Sequence, residues 1–408
     1  MAMVERGHPK QLDLVHRSPL PEKTSKKERK PESASPSVCN SIHLLPYQPY
    51  RIQSNRIAGG GSAHRTRSAM ASLTLPPAPP NPRQDAIDLH KAFKGFGCDT
   101  TTVSNILAHR DSMQRGYIQQ EYKTMYSEEL SRRISSELSG NHKVWKIVEK
   151  SLLHDKSNYC TAILAEEKAL SLWILDPAGR DATVLKEALS AESLDLKAAT
   201  DIICSRTPSQ LQIMKQTYYA KFGTYLEHDI SQQTSGDHQK ILLAYVGIPR
   251  YEGPEVDPTI VTHDAKDLYK AGEKKLGTDE KTFIRIFTER SWAHMAAVAS
   301  AYHHMYDRSL QKVVKNETSG NFEVALLTIL RCAENPAKYF AKVLRKSMKG
   351  LGTDDKTLVR VVVTRTEIDM QYIKAEYYKK YKKPLADAIH SETSGGYRTF
   401  LLSLVGSH

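Results

Sequence analysis

Leu358-Val359-Arg360-Val361-Val362-Val363-Thr364-Arg365 is the stretch that decides how this chain folds. Leu358, Val361, Val362 and Arg365 stand at i, i+3, i+4 and i+7, which is one side of an α-helix. The same face occurs three more times, as Val103, Ile106, Leu107 and Arg110, as Ala199, Ile202, Ile203 and Arg206, and as Phe283, Ile286, Phe287 and Arg290. Strand signals are sparse, and repeats end in apolar helical runs at 241–246, 324–330 and 400–405. A helical unit recurring four times predicts an all-α protein whose units bury their faces only against one another. Each arginine points the way the apolar residues point. An inward guanidinium needs carboxylate or carbonyl partners, so these arginines are expected to tie helices together within each repeat.

Around this repeat the composition is ordinary. The 408 residues are 40% hydrophobic and 25% charged, enough for a substantial core, and no apolar run is long enough to span a bilayer. Any membrane contact is therefore expected to be peripheral. Of the net charge of +12, residues 1–69 carry +7, which leaves the main body mildly basic and argues against a nucleic-acid partner. The five cysteines, Cys39, Cys98, Cys160, Cys204 and Cys332, form no C-x-x-C pair, so neither a zinc site nor a disulfide scaffold is expected, and a reducing compartment fits. Residues 1–81 read as a basic, disordered extension rich in Pro, Ser, Lys and Arg, with Gly59-Gly60-Gly61 near its end and Met70 as an alternative start. The repeats are then expected at 82–178, 179–256, 257–335 and 336–408.

The first repeat is too long. Arg110 to Arg206 spans 96 residues, against 84 and 75 for the next two intervals. Repeat 2 runs Ser235-Gly236-Asp237-His238-Gln239-Lys240, whereas repeat 1 runs Ser139-Gly140-Asn141-His142-Lys143 and resumes that pattern only at Lys168. Residues 144–167 are surplus. They begin with Val, whose codons start GT, and end with Glu, one of whose codons ends AG, as a retained in-frame intron would. The competing reading is a genuine amphipathic insertion, since Val144, Ile147, Val148 and Leu152 have helical spacing.

A loop precedes each repeating helix. It reads Met348-Lys349-Gly350-Leu351-Gly352-Thr353-Asp354 in repeat 4 and Phe93-Lys94-Gly95-Phe96-Gly97-Cys98-Asp99 in repeat 1. Two glycines one residue apart let the backbone turn sharply and aim carbonyl oxygens at one point. Calcium takes six to eight oxygens, so three carbonyls need a carboxylate from elsewhere. Glu392 lies 39 positions after Thr353, Glu137 39 after Cys98, and Glu317 39 after Thr278, each two residues before a Ser-Gly. A capped helix start accounts for Asp99, Asp279 and Asp354, but not for three glutamates at one offset.

These loops, their spacing and the fourfold repeat resemble the annexin family over residues 82–408, and most closely its plant members. The resemblance implies five helices per repeat, a right-handed superhelix forming a curved disc, and calcium ions bridging the loops to acidic phospholipid. It also implies a protein peripheral on membranes from the cytoplasm when calcium rises. Carried over by position, repeat 1 offers the carbonyls of Phe93, Gly95 and Gly97 with Glu137; Cys98 stands where Thr is usual. Repeat 4 offers Met348, Gly350 and Gly352 with Glu392, and Thr353 joins that set. Repeat 3 offers Gly272, Lys275 and Gly277 with Glu317, with Lys275 replacing a glycine. In repeat 2 the loop Ala191-Glu192-Ser193-Leu194 has no glycine and Gln233 holds the acid position, so no site is expected there. No catalytic residue is assigned, and the oligomeric state is left open.

The family also suggests alternatives. His109 matches a histidine linked to peroxidase activity, Ile284-Arg285-Ile286 a motif linked to F-actin, and Cys204 with Cys332 a suggested redox pair. The residues themselves favour plainer roles: a structural helical histidine, a core position at Ile286, and buried thiols. No P-loop is present. A peroxidase or nucleotide-hydrolysing enzyme and a calcium-permeable channel stand as the competing functions.

Overall fold

The stretch read from Leu358 to Arg365 is buried throughout, in one of twenty helices among the described residues. A computed structural model describes residues 72–76, 80–94, 98–137, 157–350 and 352–406. Repeat 1 contains α1 (Pro82–Ala92), α2 (Thr100–Ala108), α3 (Ser112–Tyr126), α4 (130–137) and α5 (Ser157–Trp173). Repeat 2 contains α6 (Pro177–Ala188), α7 (Leu196–Cys204), α8 (Pro208–Phe222), α9 (Leu226–Gln233) and α10 (Gly236–Gly247). Repeat 3 contains α11 (Pro258–Ala271), α12 (Glu280–Glu289), α13 (Trp292–Tyr306), α14 (Leu310–Glu317) and α15 (Gly320–Glu334). Repeat 4 contains α16 (Pro336–Ser347), α17 (Asp355–Arg365), α18 (Met370–Tyr381), α19 (Leu385–Glu392) and α20 (Gly395–Val405). No strand occurs among the described residues.

Local chemistry sets the helix ends. The first helix of every repeat opens with proline at its first position, behind the side-chain caps Asn81, Asp176, Asp257 and Asn335. The third helices stop at residues with positive φ: Ser127, Gly223, Asp307 and Lys382. Within each repeat the first helix packs on the third, and the fifth helix crosses to another repeat's second helix. Thus α20 lies on α2 and α5 on α17, joining repeats 1 and 4, while α15 lies on α7 and α10 on α12, joining repeats 2 and 3. The apolar faces read from the sequence are core: Leu107, Ile203, Phe287, Leu358 and Val362 are fully buried.

The repeated arginines do tie helices. Arg110 grips Asp85 at 2.7 and 2.8 Å, Arg206 grips Asp181 at 2.6 and 2.8 Å, and Arg290 grips Asp264 at 2.6 and 3.2 Å. Repeat 4 departs from this. Phe340 takes the aspartate's place on α16, and Arg365 lies over its ring at 4.4 Å and pairs instead with Asp369 at 2.6 Å. A second lock joins three repeats. Glu367 pairs with Arg115 at 3.0 Å and Arg180 at 2.7 Å, and both guanidiniums stack on Trp173, at 4.0 and 4.2 Å. Burial pushes the Glu367 carboxyl up, but the two arginines more than offset it and hold it down at about 2.

Two stretches at the margins of the repeats make contacts that the sequence did not announce. The extension expected to run to residue 81 is already held at Ser72, whose N–H donates to the Thr366 carbonyl at 3.2 Å and whose hydroxyl donates to the Leu404 carbonyl at 2.5 Å. The surplus segment also enters the fold. Its expected helical face at Val144, Ile147, Val148 and Leu152 lies outside the described residues, but 157–167 form the start of α5. Glu166 thereby takes the buried place that His238, Phe322 and Tyr397 occupy in the other repeats. Its Oε1 is buried without a hydrogen-bond partner, and burial raises its pKa.

Candidate metal centres

Each loop between first and second helix is closed by one backbone bond. Asp99, Asp195, Asp279 and Asp354 donate their N–H to the carbonyls of Ala92, Ala188, Ala271 and Ser347, at 2.8 to 2.9 Å. The same aspartate side chains cap the second helices by accepting from the N–H of Thr102, Ala198, Thr282 and Thr357. The acids at the loop ends are therefore caps, as the sequence allowed, and repeat 2 has one without any calcium pattern.

The loops differ in what they present. In repeat 4, Gly350 and Gly352 adopt φ of +129° and +89°, which a side chain would strain. In repeat 3, Gly277 has φ +82°, but Lys275 does not adopt positive φ. The closing bond shows why. Seven residues lie between Ala271 and Asp279, against six in the other repeats, so the turn is completed with an extra residue in place of a second glycine.

The distant glutamates close on these loops. The Thr353 hydroxyl lies 3.2 Å from the Glu392 carbonyl and 3.4 Å from its Oε2, and it donates to both. In repeat 3 the Thr278 hydroxyl donates to Glu317 O at 2.7 Å and to Oε2 at 3.2 Å. The Glu317 side chain lies directly over Gly272, where a Cβ would sit 3.0 Å from its Cγ and 3.5 Å from its Oε2. The constant interval of 39 residues in the sequence is thus the trace of a threonine–glutamate brace. In repeat 1 the half-buried Cys98 replaces that threonine; its pKa is pushed up to about 12 by burial first and then by the Glu137 charge. Glu137 pairs with Arg133 at 2.7 Å, a partner the sequence reading did not single out, although the four-residue spacing on one helix carried the signal. Gly95, Phe96, Gly97 and Leu351 lie outside the described residues.

Among the described residues no group of three or more His, Cys, Asp and Glu side chains gathers as a metal cage. The loops of repeats 3 and 4 each set backbone carbonyls beside one carboxylate, an all-oxygen set of the kind that suits a hard cation, whereas repeat 2 has Gln233 in the acid's place. Arrangement and repeat agree with known sequences. The profile of the family described as Annexin matches residues 84–145, 180–245, 263–329 and 339–404. This chain belongs to the annexin family. This annexin is 50% identical to Annexin D5 of Arabidopsis thaliana over 337 residues, covering 83% of this chain and 99% of that one. It is similar in structure to annexin III, with a TM-score of 0.73 at 32% identity, covering 83% of this chain and 97% of that one. It is also similar to a calcium-bound annexin (Sm)1, with a TM-score of 0.65 at 26% identity, covering 81% and 92%.

The other family-derived residues have local partners. His109 ends α2, and its Nδ1 donates to the Asn105 carbonyl at 2.7 Å. Ile286 is fully buried and Arg285 pairs with Asp267 at 3.4 Å. Cys204 and Cys332 are free, buried thiols whose pKa values burial pushes up. No described helix is long and apolar enough to cross a membrane. Leu276, at the tip of the repeat 3 loop, is fully exposed, which the sequence reading passed over.

Proposed function

We propose that this chain binds acidic phospholipid surfaces in a calcium-dependent manner, through the loops of repeats 4 and 1, with repeat 3 as a third site. The observation that supports this best is the brace of Glu392 on Thr353 beside the positive-φ glycines Gly350 and Gly352. Met348, Gly350 and Gly352 supply carbonyls, and Glu392 supplies the charge. Calcium, when bound, brings positive charge and leaves coordination positions that suit lipid phosphate oxygens. Glu317 serves repeat 3 with Gly272, Lys275 and Gly277. Repeat 2, with Gln233 and no loop glycine, takes no part. Exposed Lys94, Lys274, Lys275 and Lys349 add attraction of ~1 kcal/mol each near an anionic surface. Leu276 enters the interface as an apolar tip. Because lipid completes the site, affinity for calcium rises when acidic lipid is present.

The test is sedimentation with vesicles of phosphatidylserine and phosphatidylcholine, in calcium and then in chelator. Wild type pellets in calcium alone, and Glu392→Gln needs more calcium to do so. Equal pelleting in both conditions sinks the reading.

A further inference from the structure

The three loop glutamates are not held alike. Threonine hydroxyls brace Glu317 and Glu392, and among the described residues neither glutamate has an ion-pair partner. Repeat 1 has Cys98 at the brace position, and a thiol is a weak donor. There Arg133 Nη2 lies 2.7 Å from Glu137 Oε1, and the same nitrogen donates to the Phe93 carbonyl at 3.3 Å. One guanidinium nitrogen therefore bridges the carboxylate and the carbonyl that would flank a bound ion. The matching positions on α14 and α19 are Val313 and Ala388, both buried and apolar, so of the three repeats only repeat 1 has a cation at this position, one turn before the glutamate. The bridge is incomplete: Arg133 Nε is buried with no hydrogen-bond partner, and the side chain as a whole is about a third exposed. Such a group satisfies the loop when no ion is present and can swing out to solvent when one arrives.

We propose that Arg133 sets the calcium affinity of repeat 1: its guanidinium holds the ion's place between Phe93 and Glu137, and calcium loads this loop only by displacing it. This deepens, and rests on, the calcium reading of the loops. Repeat 1 consequently fills at higher calcium than repeat 4, whose carboxylate has no internal cation to lose.

The experiment uses the full chain with Glu317→Gln and Glu392→Gln, which leaves repeat 1 as the remaining carboxylate site. Calcium is titrated against phosphatidylserine-containing vesicles, with and without Arg133→Gln. Removing the guanidinium lowers the half-maximal calcium about fivefold, and adding Glu137→Gln removes binding. In chelator, Arg133→Gln also speeds amide exchange across 130–137, since the helix loses its tether to Phe93. An unchanged or raised calcium midpoint, or unchanged exchange, overturns the displacement. If the double variant binds no calcium with or without Arg133→Gln, while wild type and Glu392→Gln still differ, the repeat 1 site fails and takes this inference with it. The calcium reading of repeat 4 then survives.

Discussion

Repeats 2 and 4 have the same loop skeleton and opposite chemistry. Both loops hold six residues between the closing partners, Ala188 with Asp195 and Ser347 with Asp354, and the closing bonds are 2.9 and 2.8 Å. Both aspartates cap the following helix. Yet repeat 4 has Gly350, Gly352, Thr353 and Glu392 where repeat 2 has Ala191, Ser193, Leu194 and Gln233. The loop's closure is therefore a property of the scaffold, and the proposed cation chemistry is a separate layer that rests on a few residues. Changes in the core should unfold the chain, and changes in the loops should alter calcium response without touching stability.

The largest effect expected on that division is at Glu367, which faces no loop. Replacing it with Gln leaves Arg115 and Arg180 buried beside each other and costs ~3–5 kcal/mol, read as a lower midpoint in calcium-free denaturation. The pH dependence has a defined sign. The folded carboxyl is held at about 2, below its ordinary 4.5, so its contribution is present above the ordinary value and lost as pH falls toward 2. Glu367→Gln should lack that acid-induced loss.

Next is Glu166, where the surplus segment puts a carboxyl into the core. Deleting 144–167 returns His142 to that place, matching His238 of repeat 2, and should stabilise the chain by ~1–3 kcal/mol. Glu166→Gln tests the same point by pH. Because the folded pKa is raised, wild type loses stability as pH rises from its ordinary value through the raised one. The variant should not, and a melt in which deletion lowers the midpoint would show the segment to be integral.

A smaller, sharper test transplants the layer itself. Putting Met348–Thr353 in place of 189–194, together with Gln233→Glu, should create a calcium site in repeat 2, counted by calorimetry, with stability in chelator changed by under ~0.5 kcal/mol. No added site would mean that the loop residues need more from their surroundings than this skeleton provides. The smallest effect is at Leu276: replacement by Ser should weaken vesicle binding by ~1 kcal/mol or less and leave calcium binding without lipid unchanged.

The sequence by itself determined the all-α repeat, its inward arginines and the pairing of three of the four loops with a glutamate 39 residues on, because helical periodicity and fixed loop-to-acid spacing are both written along the chain. Tertiary structure decided what each buried charge meets. Asp369 and the Phe340 ring serve Arg365, Glu367 joins Arg115 to Arg180 across 252 and 187 positions, and Arg133 reaches the Phe93 carbonyl. Periodicity states which way a side chain points, but only packing between distant helices states what is waiting there.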